Sequence, residues 1–252
     1  MPRSCRIPTL STSVRNAGVG VFGLAVTVSC AGVSSNPRAT AAGTDVVSRV
    51  SFSTPDSGVV HALELGRGNH AVILGSNGCG AKESWEPEAR AFAAAGFRAL
   101  AIDFRGNGQS RAGGRSLALA DSFHFDILGA VRYLRATGAR RVSVVGASCA
   151  GDAAAQAAVE AQPDEIDNLV LLAFGGIPSP ERMRGRKLFV VTRDDANDAG
   201  LRLPTIRGQY ERSPGPKEFL VLEGAAHAQR IFRTAQGDAL RAAILRFLAE
   251  GR

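Results

Sequence analysis

From residue 46 onward, short apolar runs alternate with longer stretches whose apolar residues recur at helical spacing. Each change of period marks an element. Residues 46–53 and 59–65 read as two strands around Thr54-Pro55-Asp56-Ser57-Gly58, a Pro/Asp/Gly turn that predicts an antiparallel hairpin. Residues 70–75 form a short apolar run expected to be a buried strand. Residues 83–95, rich in Ala and Glu, read as a helix that Gly96 stops. A strand follows at 97–102. The stretch 117–137 contains a long helix, with Ile127, Val131 and Leu134 at helical spacing and Gly138 as its stop. Residues 141–146 are the next strand, and a helix follows Ser148. Three more strands are expected at 168–174, 187–192 and 218–222, and an amphipathic helix at 235–250 closes the chain. This alternation of strand and helix predicts an α/β fold, a mostly parallel sheet with helices on both faces.

Ahead of residue 46 the pattern changes. A basic stretch through Arg15 precedes an apolar run at 17–28 that is too short to cross a bilayer and suits the apolar core of an export signal. The run ends in Thr27-Val28-Ser29-Cys30, which resembles a bacterial lipoprotein signal, with Cys30 as the residue that would carry the lipid. Residues 34–44 are rich in Ser, Ala and Thr and read as a flexible linker. The organisation expected is therefore a signal over 1–30, a linker over 31–45 and one folded domain over 46–252. The net charge is +7, and Arg3, Arg6 and Arg15 carry three of those charges, leaving +4 beyond residue 30. The remaining cations are scattered, with no stripe interleaved with aromatics, which argues against nucleic-acid binding. Four cysteines (Cys5, Cys30, Cys79 and Cys149) form no Cys-x-x-Cys pair or Cys/His cluster, so no metal is implied.

The candidate chemistry begins at residues 142–152, Val-Ser-Val-Val-Gly-Ala-Ser-Cys-Ala-Gly-Asp. An apolar strand, a turn flanked by small residues and a helix start place Ser148 at an apex, where backbone N–H groups favour developing negative charge. This is the strand–turn–helix setting of a nucleophilic serine. The Gly-x-Ser-x-Gly pattern is met with Ala150 in the fifth position and Gly151 one step later. A serine hydroxyl needs a base, and the base needs an orienting carboxylate. Of the four histidines, His227 lies in a loop just after the strand ending at Leu222, the strand end at which α/β sheets place their chemistry. Between serine and histidine, Arg193-Asp194-Asp195 directly follows the strand 187–192. Asp195 is preferred as the acid, Asp194 is the alternative, and Asp198 is a distant third. An oxyanion needs two backbone N–H groups. Cys149 is the first candidate donor. Gly78, then Asn77, in the glycine-bearing loop after residue 75 supplies the second.

Asp103-Phe104-Arg105-Gly106-Asn107-Gly108-Gln109-Ser110 then adds a more specific signal. It is the Asp-x-Arg-Gly-x-Gly-x-Ser signature of the α/β-hydrolase superfamily, and the chain resembles that superfamily over about residues 46–250. The resemblance implies the fold, the triad Ser148–Asp195–His227, and a structural role for Asp103 and Arg105 in tying loops together near the site. Ser76-Asn77 stands where many members carry His-Gly. In this fold the loops bearing Cys79 and Cys149 meet, so the resemblance offers either a disulfide between them or two small buried thiols. Members often insert a cap between the strands that here end near Phe174 and begin at Lys187. The segment between is about a dozen residues, too few for a lid of helices, so a fold without a cap domain and an open site are expected. The resemblance implies hydrolysis of a small-molecule carboxylic ester, with no cofactor. Thioesterase, peptidase and acyltransferase activities would use the same triad, and a non-catalytic surface binding protein would share the fold alone. Membrane attachment would run through a lipidated Cys30, and the oligomeric state is left open.

Overall fold

The strands β1 (Ser48–Ser53) and β2 (Val59–Leu65) form the antiparallel hairpin expected around the Pro-Asp-Ser-Gly turn. The computed structural model describes residues 46–75, 80–114 and 120–250. After the hairpin come β3 (His70–Gly75), α1 (Glu86–Ala94), β4 (Arg98–Ile102), α2 (Phe123–Ala136), β5 (Arg141–Ala147), α3 (Cys149–Glu160), β6 (Asn168–Leu172) and β7 (Arg186–Thr192). A two-strand ribbon, β8 (Ala196–Asn197) and β9 (Gly200–Leu201), leads into α4 (Arg202–Arg212), β10 (Lys217–Leu222) and α5 (Gly237–Ala249). The main sheet has the order β1-β2-β4-β3-β5-β6-β7-β10. Only β2 runs against the others.

Strands buried on both faces need apolar residues at successive positions, and β3, β5 and β6 have them. One face of the sheet is covered by α2, α3 and α4 through residues such as Ile127, Val131, Ala154 and Ile206. The other is covered by α1 and α5 through Phe92, Leu240, Ile244 and Phe247. Winding reverses at β3: the chain crosses to β4 on one side, then returns to β5 on the other. β3 and β5 pair in register from His70 opposite Arg141 to Gly75 opposite Gly146. Both strands therefore end at the crevice where open α/β sheets bind ligands.

Some boundaries differ from expectation for local reasons. The helix expected from Glu83 is a 3-10 turn over Lys82–Trp85 followed by α1, because Pro87 in the first turn of α1 cannot donate to a carbonyl one turn back. The strand expected to run to Phe174 stops at Leu172, and Ala173 takes a positive φ of 49°. No strand or helix was expected at β8, β9 or α4. Residues 1–45, which hold the expected signal, Cys30 and the linker, lie outside the described residues. Among the described residues, no helix is long and apolar enough to cross a membrane.

The Asp-x-Arg-Gly-x-Gly-x-Ser segment forms a buried polar knot. Arg105 donates to Asp56 Oδ2 and Oδ1 at 2.6 and 2.9 Å, and to Asp126 Oδ1 at 2.9 and 2.8 Å. It thereby joins the β1–β2 turn to α2. All three side chains are at most 8% exposed. Asp103 accepts from the Lys82 backbone N–H at 2.7 Å and from Lys82 Nζ at 2.6 Å, which ties the turn before α1 to the end of β4. Ser110 Oγ donates to the Asp103 carbonyl and accepts from the His61 N–H.

Breaking this knot from one side strands a charge. Arg105→Met should leave Asp126 buried without its cation and destabilise the fold by about 3–5 kcal/mol, measured by denaturant unfolding. The double variant Arg105→Met/Asp126→Leu should recover much of that loss, because it removes the orphaned carboxylate. The guanidinium beside Asp56 holds its carboxyl at about 2, below its ordinary 3.8, whereas burial pushes Asp126 upward. A depressed folded-state pKa contributes stability that is full above 3.8 and lost as pH falls toward 2. Asp56→Asn should therefore be less stable than the wild type at neutral pH, with a flatter loss of stability between those two pH values. Parallel slopes in the two proteins would overturn this assignment.

Candidate active site

Ser148 sits between the end of β5 and the start of α3 with φ 57° and ψ −125°, a conformation that L-residues hold only under constraint. The constraints are close backbone contacts and hydrogen bonds. A Cβ on Gly146 would lie 2.4 Å from the Ala150 carbonyl oxygen and 2.8 Å from Gly151 Cα, so the turn closes only over glycine. Ala150, in the fifth position of the pattern, is accommodated from the other side: a Cβ on Gly75 would come 3.1 Å from the Ala150 methyl. Glycine at the end of β3 makes the room that the missing elbow glycine would have provided. The Ser148 N–H donates to the Leu172 carbonyl at 2.9 Å, fixing the turn against β6. Gly151 N–H donates to the Ser148 carbonyl at 2.7 Å and begins the helix.

The structure brings three of the expected side chains into a hydrogen-bonded line. Ser148 Oγ lies 2.9 Å from His227 Nε2, and His227 Nδ1 lies 2.8 Å from Asp195 Oδ2. The tautomer that satisfies both contacts carries its proton on Nδ1, donates to the carboxylate, and accepts at Nε2 from the serine hydroxyl. Each residue follows a different strand of one sheet edge: β5, β7 and β10. Asp195 is 1% exposed and faces the histidine, whereas Asp194 and Asp198 are exposed. Burial of one and solvation of its neighbours separates the alternatives that the sequence left open. His227 keeps 28% of its side chain exposed, so the line opens to solvent at the base.

Neighbours fix this line in ways the sequence signalled weakly. Thr192, three residues before Asp195, is buried, and its hydroxyl donates to the Ala226 carbonyl at 2.9 Å. It thus joins the acid turn to the histidine loop. Gln229 Nε2 donates to the Ser84 carbonyl at 2.9 Å, holding the histidine loop to the turn before α1. Arg202 donates its backbone N–H to the Asp195 carbonyl at 2.9 Å, and its Nε lies 3.5 Å from Asp195 Oδ1. Asp152, one turn along α3 from Ser148, accepts from the Gly175 and Gly176 N–H groups at 2.7 and 3.0 Å and shapes the loop after β6. Burial raises its carboxyl above the ordinary range. An aspartate in a first helical turn reads in sequence as a dipole complement, so only the fold reveals this second task.

Cys149 is the first residue of α3, where helix N–H groups point out of the helix end. Asn77, Gly78 and Cys79 lie outside the described residues, and so does the Cys79 half of the disulfide reading. Between β6 and β7 the chain contains one 3-10 turn, Pro180–Arg182, and no α-helix. Among the described residues, no group of three or more His, Cys, Asp or Glu side chains could hold a metal ion.

The same architecture recurs in solved structures. The esterase Pf2001 of Pyrococcus furiosus superposes with a TM-score of 0.68 at 16% identity, over 81% of this chain and 92% of its own. A CIB-like hydrolase of Thermoplasma acidophilum gives 0.64 at 17% identity, over 81% and 99%. A meta-cleavage product hydrolase, CumD, of Pseudomonas fluorescens gives 0.65 at 15% identity, over 81% and 98%. No curated protein matches the sequence. The family model described as alpha/beta hydrolase fold matches residues 71–229, from β3 through the histidine loop. The chain belongs to the alpha/beta hydrolase fold family.

Proposed function

We propose that the protein is a serine hydrolase that cleaves carboxylic esters through an acyl-enzyme on Ser148. The observation that carries this reading is the Ser148–His227–Asp195 hydrogen-bond line at the carboxyl edge of the sheet. A strained nucleophile turn, a base within 2.9 Å and a buried orienting acid have the geometry that acyl transfer requires. Ser148 Oγ attacks the ester carbonyl carbon while its proton passes to His227 Nε2. Asp195 stabilises the imidazolium that forms. The negative oxygen of the tetrahedral intermediate takes the Cys149 N–H, with Gly78 or Asn77 as the second donor. His227 then returns the proton to the leaving alcohol oxygen as the carbon–oxygen bond breaks. Water, deprotonated by the same nitrogen, releases the acid and regenerates Ser148.

The half-open histidine and the short β6–β7 connection favour small or end-exposed esters over reactions that need water excluded. The test is hydrolysis of p-nitrophenyl esters across acyl-chain lengths, beside labelling by a fluorophosphonate, which reacts only with an activated serine. Turnover with stoichiometric labelling of Ser148 is expected. A folded protein that does neither would end this reading. We also propose export with lipid attachment at Cys30, on the sequence of residues 1–30. The mass of the N-terminal peptide from the native cell decides it, and an unmodified, uncleaved terminus would exclude it.

A further inference from the structure

We infer that the substrate carries a negative charge on its leaving-group side, read by Arg230 and Arg233. The inference deepens the serine-hydrolase reading and takes from it the direction in which the alcohol departs. His227 is followed by a 3-10 turn over Ala228–Arg233, with the Arg230 N–H donating to the His227 carbonyl at 3.0 Å. Side chains at i and i+3 of a 3-10 turn eclipse, so Arg230 and Arg233 share the exposed face of this turn, while Ala228, which takes a positive φ of 51°, Ile231 and Phe232 are buried in the core. That face borders a cavity of about 230 Å³ lined by His227, Ala228, Gln229, Arg230 and Arg233.

The charge of this cavity is one-sided. Among the described residues, no carboxylate lines it. Among the described residues, neither Arg230 nor Arg233 forms a salt bridge or a side-chain hydrogen bond to an acid. Glu88, whose carboxylate feels the charge of Arg233, is engaged by Arg241 at 3.6 Å. Residues 76–79 and 115–119, which lie outside the described residues, contain no Asp or Glu, and Asp45 is the one acid among residues 1–45. Two guanidiniums with no salt bridge among the described residues thus line the same cavity as His227, the residue that returns a proton to the leaving oxygen in the proposed reaction. On a leaving group that ran from His227 into this cavity, a carboxylate or phosphate would meet the charge-assisted donors of both arginines.

The experiment compares 4-acetoxybenzoate with methyl 4-acetoxybenzoate. The acyl group is the same, and the leaving phenol differs in carrying a charge. The ratio of their kcat/KM values, anionic over neutral, is measured in the wild type, in Arg230→Gln/Arg233→Gln and in Arg246→Gln, a variant that removes a cation elsewhere. Comparing ratios cancels the difference in chemical reactivity between the two esters. The double variant should lower the ratio by about tenfold or more, and Arg246→Gln should leave it near the wild-type value. The wild-type ratio should also fall at about 1 M salt, where charges are screened beyond about 3 Å. Calorimetric binding of 4-hydroxybenzoate and its methyl ester gives a readout that needs no turnover. Tighter binding of the anion, lost in the double variant, supports the charged subsite even if neither ester is hydrolysed, an outcome that would defeat the hydrolase reading alone. Hydrolysis with an unchanged ratio in the double variant, or an equal fall in Arg246→Gln, would overturn the subsite and leave the hydrolase reading standing.

Discussion

Ser148→Ala is expected to lower ester hydrolysis by on the order of 10⁶-fold in kcat, with the fold retained. The expectation follows from the division of labour in the line. In the proposed mechanism, and among the described residues, the Ser148 hydroxyl is the group within reach of His227 that would form the acyl-enzyme, and without it His227 has no alcohol to deprotonate. What remains is catalysis by the oxyanion donors and by proximity, acting on a water that the site does not position. Stability should change little, since the lost oxygen makes one hydrogen bond, to a half-exposed histidine. The backbone adds a second, independent signature. At φ 57° an alanine bears the same strain as the serine, whereas glycine bears none. Ser148→Gly should therefore be more stable than Ser148→Ala by about 1 kcal/mol while being equally inactive. Equal stability of the two would mean that the turn relaxes in solution.

Asp195→Asn should lower kcat by about 10⁴-fold, and Asp194→Asn by less than about twofold. An asparagine amide facing His227 Nδ1 would donate where the carboxylate accepts. That contact favours the tautomer with its proton on Nε2, which cannot take the proton of Ser148. The nucleophile would be present and correctly placed but without a base. Asp194 is exposed, so its charge is screened. The comparison is best read from pH–rate profiles with thermal unfolding in parallel. A large activity loss at unchanged melting temperature identifies an effect on His227. A loss that tracks unfolding would instead point to the structural ties of Asp195, whose carbonyl accepts the Arg202 N–H and whose Oδ1 faces Arg202 Nε. If Asp194→Asn were the inactive variant, the acid would be misassigned.

Family membership frames the two arginines beside His227. The sheet, the nucleophile turn and the loop order belong to a fold that hosts many chemistries, so substrate choice must come from side chains at the mouth. On the proposed charged subsite, Arg230 and Arg233 are such side chains, carried by the turn after His227 rather than by the sheet.

The alternation of apolar strands and amphipathic helices carried the sheet and most of its helical layers, because buried strands and helix faces impose periods that the chain must display. The chain order of Ser148, Asp195 and His227, which the structure brings into one hydrogen-bonded line, was readable for a similar reason: small residues around Ser148 and polar loops after two strands leave local marks. Helix α4 left no such mark. Only Ile206 is fully buried along it, Pro204 lies in its first turn and Gly208 in its middle, so neither periodicity nor propensity announced it. The choice between Asp194 and Asp195 was also beyond the sequence. Adjacent aspartates are chemically identical, and only the path of β7 into the β8–β9 ribbon decides which one is buried toward His227. The same holds for the tolerance of Ala150, which depends on a glycine 75 residues earlier on the neighbouring strand. The meeting of His227, Arg230 and Arg233 at one cavity likewise depends on how the turn after His227 packs through Ile231 and Phe232. Local pattern determined what each segment is. Contacts between segments distant in sequence decided which atoms meet, because burial and hydrogen-bond geometry are set by neighbours that no local window contains.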